Sequence, residues 1–111
     1  MVALGTNDVH AGYSAAQMAD RIDQVMATVG PNRFVIWVNL QMGATTLADR
    51  FNAVLTAKAL LYPNLTVADW NSTPNRQYFT TGGIHYTSTG YRNRAAFMAA
   101  ALQRVTRCVG T

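Results

Sequence analysis

A single cysteine, Cys108, excludes an internal disulfide and any zinc cluster built from several thiolates. Its neighbours, Arg107 and the terminal Val109-Gly110-Thr111, mark it as an incidental residue at a frayed end, with a reactive thiol as the other reading. No apolar stretch approaches the roughly 18 residues needed to cross a bilayer. No basic-then-apolar leader opens at Met1, so the chain itself is expected not to span a membrane, and its compartment is not encoded. Acidic side chains are scarce, five against nine Lys plus Arg, which gives a net charge of +4 and a pI near 9.7. No run of bases with interleaved aromatics accompanies that excess. Arg92, Arg94, Arg104 and Arg107 are separated by alanines and apolar residues, which fits a solvated helix face and argues against nucleic acid; an anionic partner is the alternative. No Gly-rich phosphate loop opens a helix, which disfavours nucleotide binding, and no metal or cofactor is expected.

What remains is a chain of 111 residues, half of them hydrophobic and 13% charged, as expected for one compact domain over residues 1–111. Three short apolar runs alternate with three longer segments of helical period, the pattern of an α/β domain with a parallel sheet. The runs are Val2-Ala3-Leu4, broken at Gly5; Phe34 to Leu40, rich in β-branched and aromatic residues; and Leu65-Thr66-Val67-Ala68, ending at Asp69-Trp70. Near-continuous apolar runs predict strands covered on both faces. The predicted helices span Ser14 to about Val29, Thr45 to about Leu61, and Ser88 to about Arg107. Their apolar stripes are Met18, Ile22, Val25 and Val29; Leu47, Phe51, Val54 and Leu55; and Tyr91, Ala95, Met98 and Leu102. Each is expected to face a core, with Met18, Met26 and Met98 as filler.

Two loops carry chemistry. Gly5-Thr6-Asn7-Asp8 follows a predicted strand directly and places Asn7 at the carboxyl edge of the sheet, where open α/β domains bind ligands. An asparagine there can donate its amide to a developing oxyanion, an effect of about 3 kcal/mol in a dry, preorganised site; an ordinary Asx-turn is the other reading. In Gly83-Ile84-His85-Tyr86-Thr87-Ser88-Thr89-Gly90-Tyr91 a histidine immediately precedes a helix. His85 is suited to general-base work because its ordinary pKa lies near working pH, although a lone histidine is more often structural.

Together, Gly-x-Asn-Asp after a strand and Gly-Ile-His-x-Thr-x-x-Gly-Tyr-x-x-x-Ala at the last helix resemble the third and fifth sequence blocks of the SGNH hydrolase superfamily. The resemblance extends from Val2 to about Leu102 and is similar in flavour to the SGNH domains of bacterial membrane acyltransferases that modify cell-wall polymers. It implies a flavodoxin-like three-layer α/β/α fold with a parallel sheet, of which the N-terminal strands are missing here. It also implies an ester-cleaving site in which Asn7 is an oxyanion donor and His85 the base. The family's acid, three residues before the histidine, falls on Gly82; Asp8 is the nearest substitute by motif, and Asp69 reads as a strand-end cap. The family's Gly-Asp-Ser block has no counterpart. Ser14, Ser72 and Ser88 are the only serines, the first and last read as helix N-caps and the middle one as a turn residue.

The resemblance therefore implies the C-terminal part of a serine esterase or acyltransferase domain acting on small acyl esters, such as acetyl groups on a carbohydrate or cell-wall polymer, in an extracytoplasmic setting. A catalytically inactive SGNH-like binding module is the alternative. Without the nucleophile strand, the outer edge of Val2-Ala3-Leu4 is expected to pair with a second copy or a complementing chain.

Overall fold

The computed structural model describes residues 1–5, 12–42, 45–72 and 86–109, without the side chains of 45, 47 and 105–109. Within these residues the fold is mixed α/β, with helices α1 (Ala15–Val29), α2 (Thr45–Ala59) and α3 (Ser88–Val109) and strands β1 (Val35–Val38) and β2 (Leu65–Ala68). The two strands are parallel, registered from Val35 with Leu65 to Val38 with Ala68, and α2 is the crossover between them. Val2 forms an isolated parallel bridge to Trp37, donating its N–H to Ile36 O at 2.7 Å and accepting from Val38 N at 2.8 Å.

The expected first strand thus contracts to one residue. Its physical reason is that Leu4 O is taken by the Trp37 indole N–H at 3.2 Å rather than by a ladder partner. The second strand is shorter than the apolar run at both ends: Phe34 is exposed, and the Asn52 side chain binds the backbone of Leu40.

Burial follows the pleat of β1, all four of whose residues are buried. Val35 and Trp37 join Met18, Ile22 and Met26 of α1 and Ala48, Phe51 and Leu55 of α2 in one cluster. Ile36 and Val38 join Ala68, Trp70 and Ala101 in another, with Phe97 and Met98 of α3 packed against it. β2 differs, because Thr66 is exposed, as suits a strand at the sheet edge. Fully burying a side chain such as Phe51 or Ile22 contributes about 1.5–3 kcal/mol relative to leaving it exposed.

Local signals set the helix ends. Ser14 and Gln17 form a capping box, Gln17 N donating to Ser14 Oγ at 3.2 Å and Ser14 N to Gln17 Oε1 at 2.8 Å. Gly30, at φ 85°, closes α1 through a 2.9 Å bond from its N–H to Met26 O. At α3 the cap is Thr87, not Ser88: Thr87 Oγ1 accepts from Gly90 N at 3.2 Å, and Ser88 is already the first helical residue. The stripe expected on α3 is also rotated. Tyr91 and Leu102 are each 49% exposed and Ala95 is exposed, whereas Gly90 and Ala101 are buried and Arg94, Phe97 and Met98 half-buried. Spacing alone admits both stripes; the Trp70 ring, 5.4 Å from that of Phe97, selects the second. The helix continues through Cys108 to Val109, so the end expected to fray there is helical.

One ionic tie joins α1 to the end of α2. Asp23 accepts from Tyr62 Oη at 2.6 Å and from Lys58 Nζ at 2.9 Å. The Tyr62 hydrogen bond, then that of Lys58, holds the Asp23 carboxyl below its ordinary range. A carboxyl that ionises more readily folded than unfolded adds stability that is complete above its unfolded pKa and lost as pH falls through the folded one. Asp23→Asn is therefore expected to lower the melting temperature slightly at neutral pH and to flatten the acid-side loss. Thermal melts from about pH 2 to pH 7 check this, and parallel curves for the two proteins contradict it.

Candidate functional site

All three extended segments run the same way, so their carboxyl ends form one rim. The chain reaches that rim from the Val2 bridge over Leu4 and Gly5. Gly5 is buried at φ 127°, where side chains are rarely accommodated, and a Cβ on it would lie 2.6 Å from Cζ of Phe51. Glycine is required there by both conformation and space. The backbone at Gly5 thus packs directly against the Phe51 ring.

Beyond β1, polar residues take over in alternation: Asn39, then Gln41, with Asn52 facing them from α2. These amides are the buried polar side chains among the described residues, at 8%, 4% and 9% exposure. Each is engaged. Asn39 donates through Nδ2 to Asp69 Oδ1 at 2.8 Å and accepts from Asn71 N at 2.8 Å, latching the end of β1 to the turn after β2. Asp69 also accepts from Ser72 N at 3.2 Å, while Ser72 Oγ donates to Asp69 O at 2.9 Å. Asp69 is therefore the strand-end cap expected of it and Ser72 the turn residue. Asn52 holds both backbone groups of Leu40, accepting from its N–H and donating to its carbonyl, each at 2.8 Å.

Gln41 belongs to a closed ring of donors. Its Nε2 donates to Trp70 O at 2.9 Å, Trp70 Nε1 donates to Tyr86 Oη at 3.1 Å, and Tyr86 Oη donates to Gln41 O at 2.9 Å. The Tyr86 ring stands edge-on to Trp70 and Tyr91, with centroids 6.4 and 5.3 Å away, and the Arg94 guanidinium lies 5.5 Å from its centroid. Arg94 is thus half-buried over an aromatic face, unlike the exposed Arg92 and Arg104. Burial raises the Tyr86 phenol above its ordinary pKa, against the opposing pull of the Trp70 N–H and the Arg94 charge. Tyr86 is therefore a neutral donor at working pH, not a base.

Of the residues expected to react, Asn7, Asp8, Gly82 and His85 lie outside the described residues. The rim holds what flanks them: Gly5, two residues before Asn7, and Tyr86, the residue after His85. Asn39, Gln41, Asn52 and Tyr86 were not singled out from the sequence as parts of this rim. The signal was present in the Asn39-x-Gln41 alternation, where amides interrupt an otherwise apolar run at the period of a strand. A groove of about 300 Å³ lies at the opposite, amino-terminal end of the sheet, lined by Met26, Pro31, Tyr62 and Pro63 among others. Its walls are mainly apolar, and it offers no convergent set of reactive groups. Among the described residues no helix is long and apolar enough to cross a membrane. No family model matches the chain, and searches of curated proteins and of solved structures return no match.

Proposed function

We propose that this chain supplies the oxyanion donor and the general base of an SGNH-type serine esterase or acyltransferase domain, with Asn7 and His85 in those roles. The observation that carries the proposal is the shared placement of Gly5 and Tyr86 at the carboxyl rim of one parallel sheet. In open α/β domains ligands bind at that rim. The division of core side chains between α1 and α2 on one side and α3 on the other supports a flavodoxin-like three-layer fold. The substrate class is a small acyl ester, with acetyl groups on a carbohydrate or cell-wall polymer the first to test.

Such a site needs a serine from outside these 111 residues. Ser14 caps α1, Ser72 is bound to Asp69 and Ser88 lies in the first turn of α3. Among the described residues no strand lies on the far side of Val2, and Met1 and Leu4 are 45% and 57% exposed. A complementing segment carrying the nucleophile would pair along that edge.

Gly82 in the place of the family's acid favours a second reading, a binding module that has lost its chemistry. Hydrolysis of p-nitrophenyl acetate by the chain joined to a Gly-Asp-Ser segment separates the two. The enzyme is expected to turn over, and Gly82→Asp to raise kcat, since an orienting carboxylate is worth up to about ten-thousandfold in the Ser-His-Asp template. No turnover in either form, together with retention on acetylated polysaccharide, would favour the module.

A further inference from the structure

We infer that Arg94 is an anion-binding residue at the carboxyl rim, taking a carboxylate or phosphate group on its guanidinium. Arginine carries five N–H donors and a permanent charge, so a partly buried one is normally matched by an acid or by other acceptors. Among the described residues Arg94 is matched by neither: its Nε is buried without a hydrogen-bond acceptor, and the ion pair formed there joins Lys58 to Asp23 instead. The chain's five acids are all aspartates. Asp23 is engaged by Tyr62 and Lys58, and Asp69 by Asn39 and Ser72. Asp20 and Asp49 are exposed on α1 and α2, whose core side chains form the cluster that α3 does not join, and Asp8 lies outside the described residues.

Packing, not pairing, therefore holds this side chain. The guanidinium lies 5.5 Å from the centre of the Tyr86 ring, and that ring is itself fixed, its hydroxyl accepting from Trp70 Nε1 at 3.1 Å and donating to Gln41 O at 2.9 Å. A guanidinium resting on an aromatic ring has given up part of its hydration but keeps its charge and the edge of its planar fork for an oxyanion. Because the side chain is already ordered, a ligand need not immobilise it on binding. Arg94 is only half-buried as a whole, which leaves its terminal nitrogens as the end a ligand reaches; Arg92 and Arg104 on the same helix are exposed. The net charge of +4 adds a field that draws anions in. Gln41 and Trp70 place the Tyr86 platform at the strands' carboxyl ends. On the ester-site proposal, which gives the anion its meaning, the substrate is thus an ester that also bears an acid group.

Proton–nitrogen NMR of the arginine Nε–H groups, on the 111-residue chain in mildly acidic buffer, reads the site directly. Sodium acetate and sodium phosphate are titrated separately against sodium chloride at constant ionic strength, which separates a carboxylate site from a phosphate site. The Arg94 signal is expected to move saturably with at least one of them, with half-saturation on the order of millimolar, while Arg92 and Arg104 stay in place. Arg94→Lys keeps the charge but loses the planar fork, and is expected to weaken the same anion about tenfold, read from the perturbed backbone amides of α3. No saturable response to either anion, or equal movement of all three arginines, overturns the inference. An Arg94 signal that ignores both anions but shifts in Asp8→Asn also overturns it, because the arginine is then half of an internal ion pair. Should Arg94→Lys not fold, the unaltered chain still decides through the contrast between Arg94 and its two exposed neighbours. Absence of esterase turnover in the chain joined to a Gly-Asp-Ser segment sinks the ester-site proposal alone, since the anion titration involves no catalysis.

Discussion

Asn52→Ala is expected to destabilise the fold by about 2–5 kcal/mol, because it strips both hydrogen bonds from the buried backbone of Leu40 at once. Leu40 is 3% exposed, so neither its N–H nor its carbonyl gains a water when the amide is removed. Each orphaned group then carries a desolvation penalty of about 1–3 kcal/mol, to which the void left on α2 adds. For a domain of this size that corresponds to a fall in melting temperature on the order of 10–25 °C. Thermal or urea denaturation measures it. A loss within about 0.5 kcal/mol, as for an ordinary surface substitution, would mean that the Leu40 backbone finds other partners. The effect extends to the rim, since Leu40 stands between Asn39 and Gln41, and a loosened Leu40 frees both.

How far the fold was legible follows from where local signals and tertiary context agree. The Ser14 cap, the end of the first helix near Val29 and the β-branched core of the second strand each specify structure within a few residues, and each forms where expected, with Gln17 completing the cap as a box. The first strand contracts because the Trp37 side chain, 33 residues away, takes the carbonyl of Leu4. On α3, a helix rich in alanine, two apolar stripes fit the same period. Only the position of Trp70 and Tyr86 decides that Phe97 faces inward and Leu102 outward.

The rim was legible in part. Asp69 and Ser72 behave as a strand-end cap and a turn residue because short polar side chains bond to nearby backbone. The partners of Asn39, Gln41 and Asn52 lie 12 to 32 residues away, and no local pattern names them. The closed ring of Gln41, Trp70 and Tyr86 exists only once three segments meet. The buried amides are therefore the part of the site that the sequence concealed, whereas Asn7 and His85 come from motif resemblance alone.

The most direct test of an ester-cleaving rim is the loss of p-nitrophenyl acetate hydrolysis on removing each of its two proposed groups, in the chain joined to a Gly-Asp-Ser segment. His85→Ala is expected to lower kcat/KM by about 10²–10⁴, the range of a positioned general base. Asn7→Ala is expected to lower it by about 10²–10³, the range of one oxyanion donor. Because the two groups serve one transition state, the double variant should fall well short of the product of the single losses. Losses of this size with the fold intact agree with Asn7 and His85 acting on one acyl group; hydrolysis that survives both substitutions undiminished would contradict it.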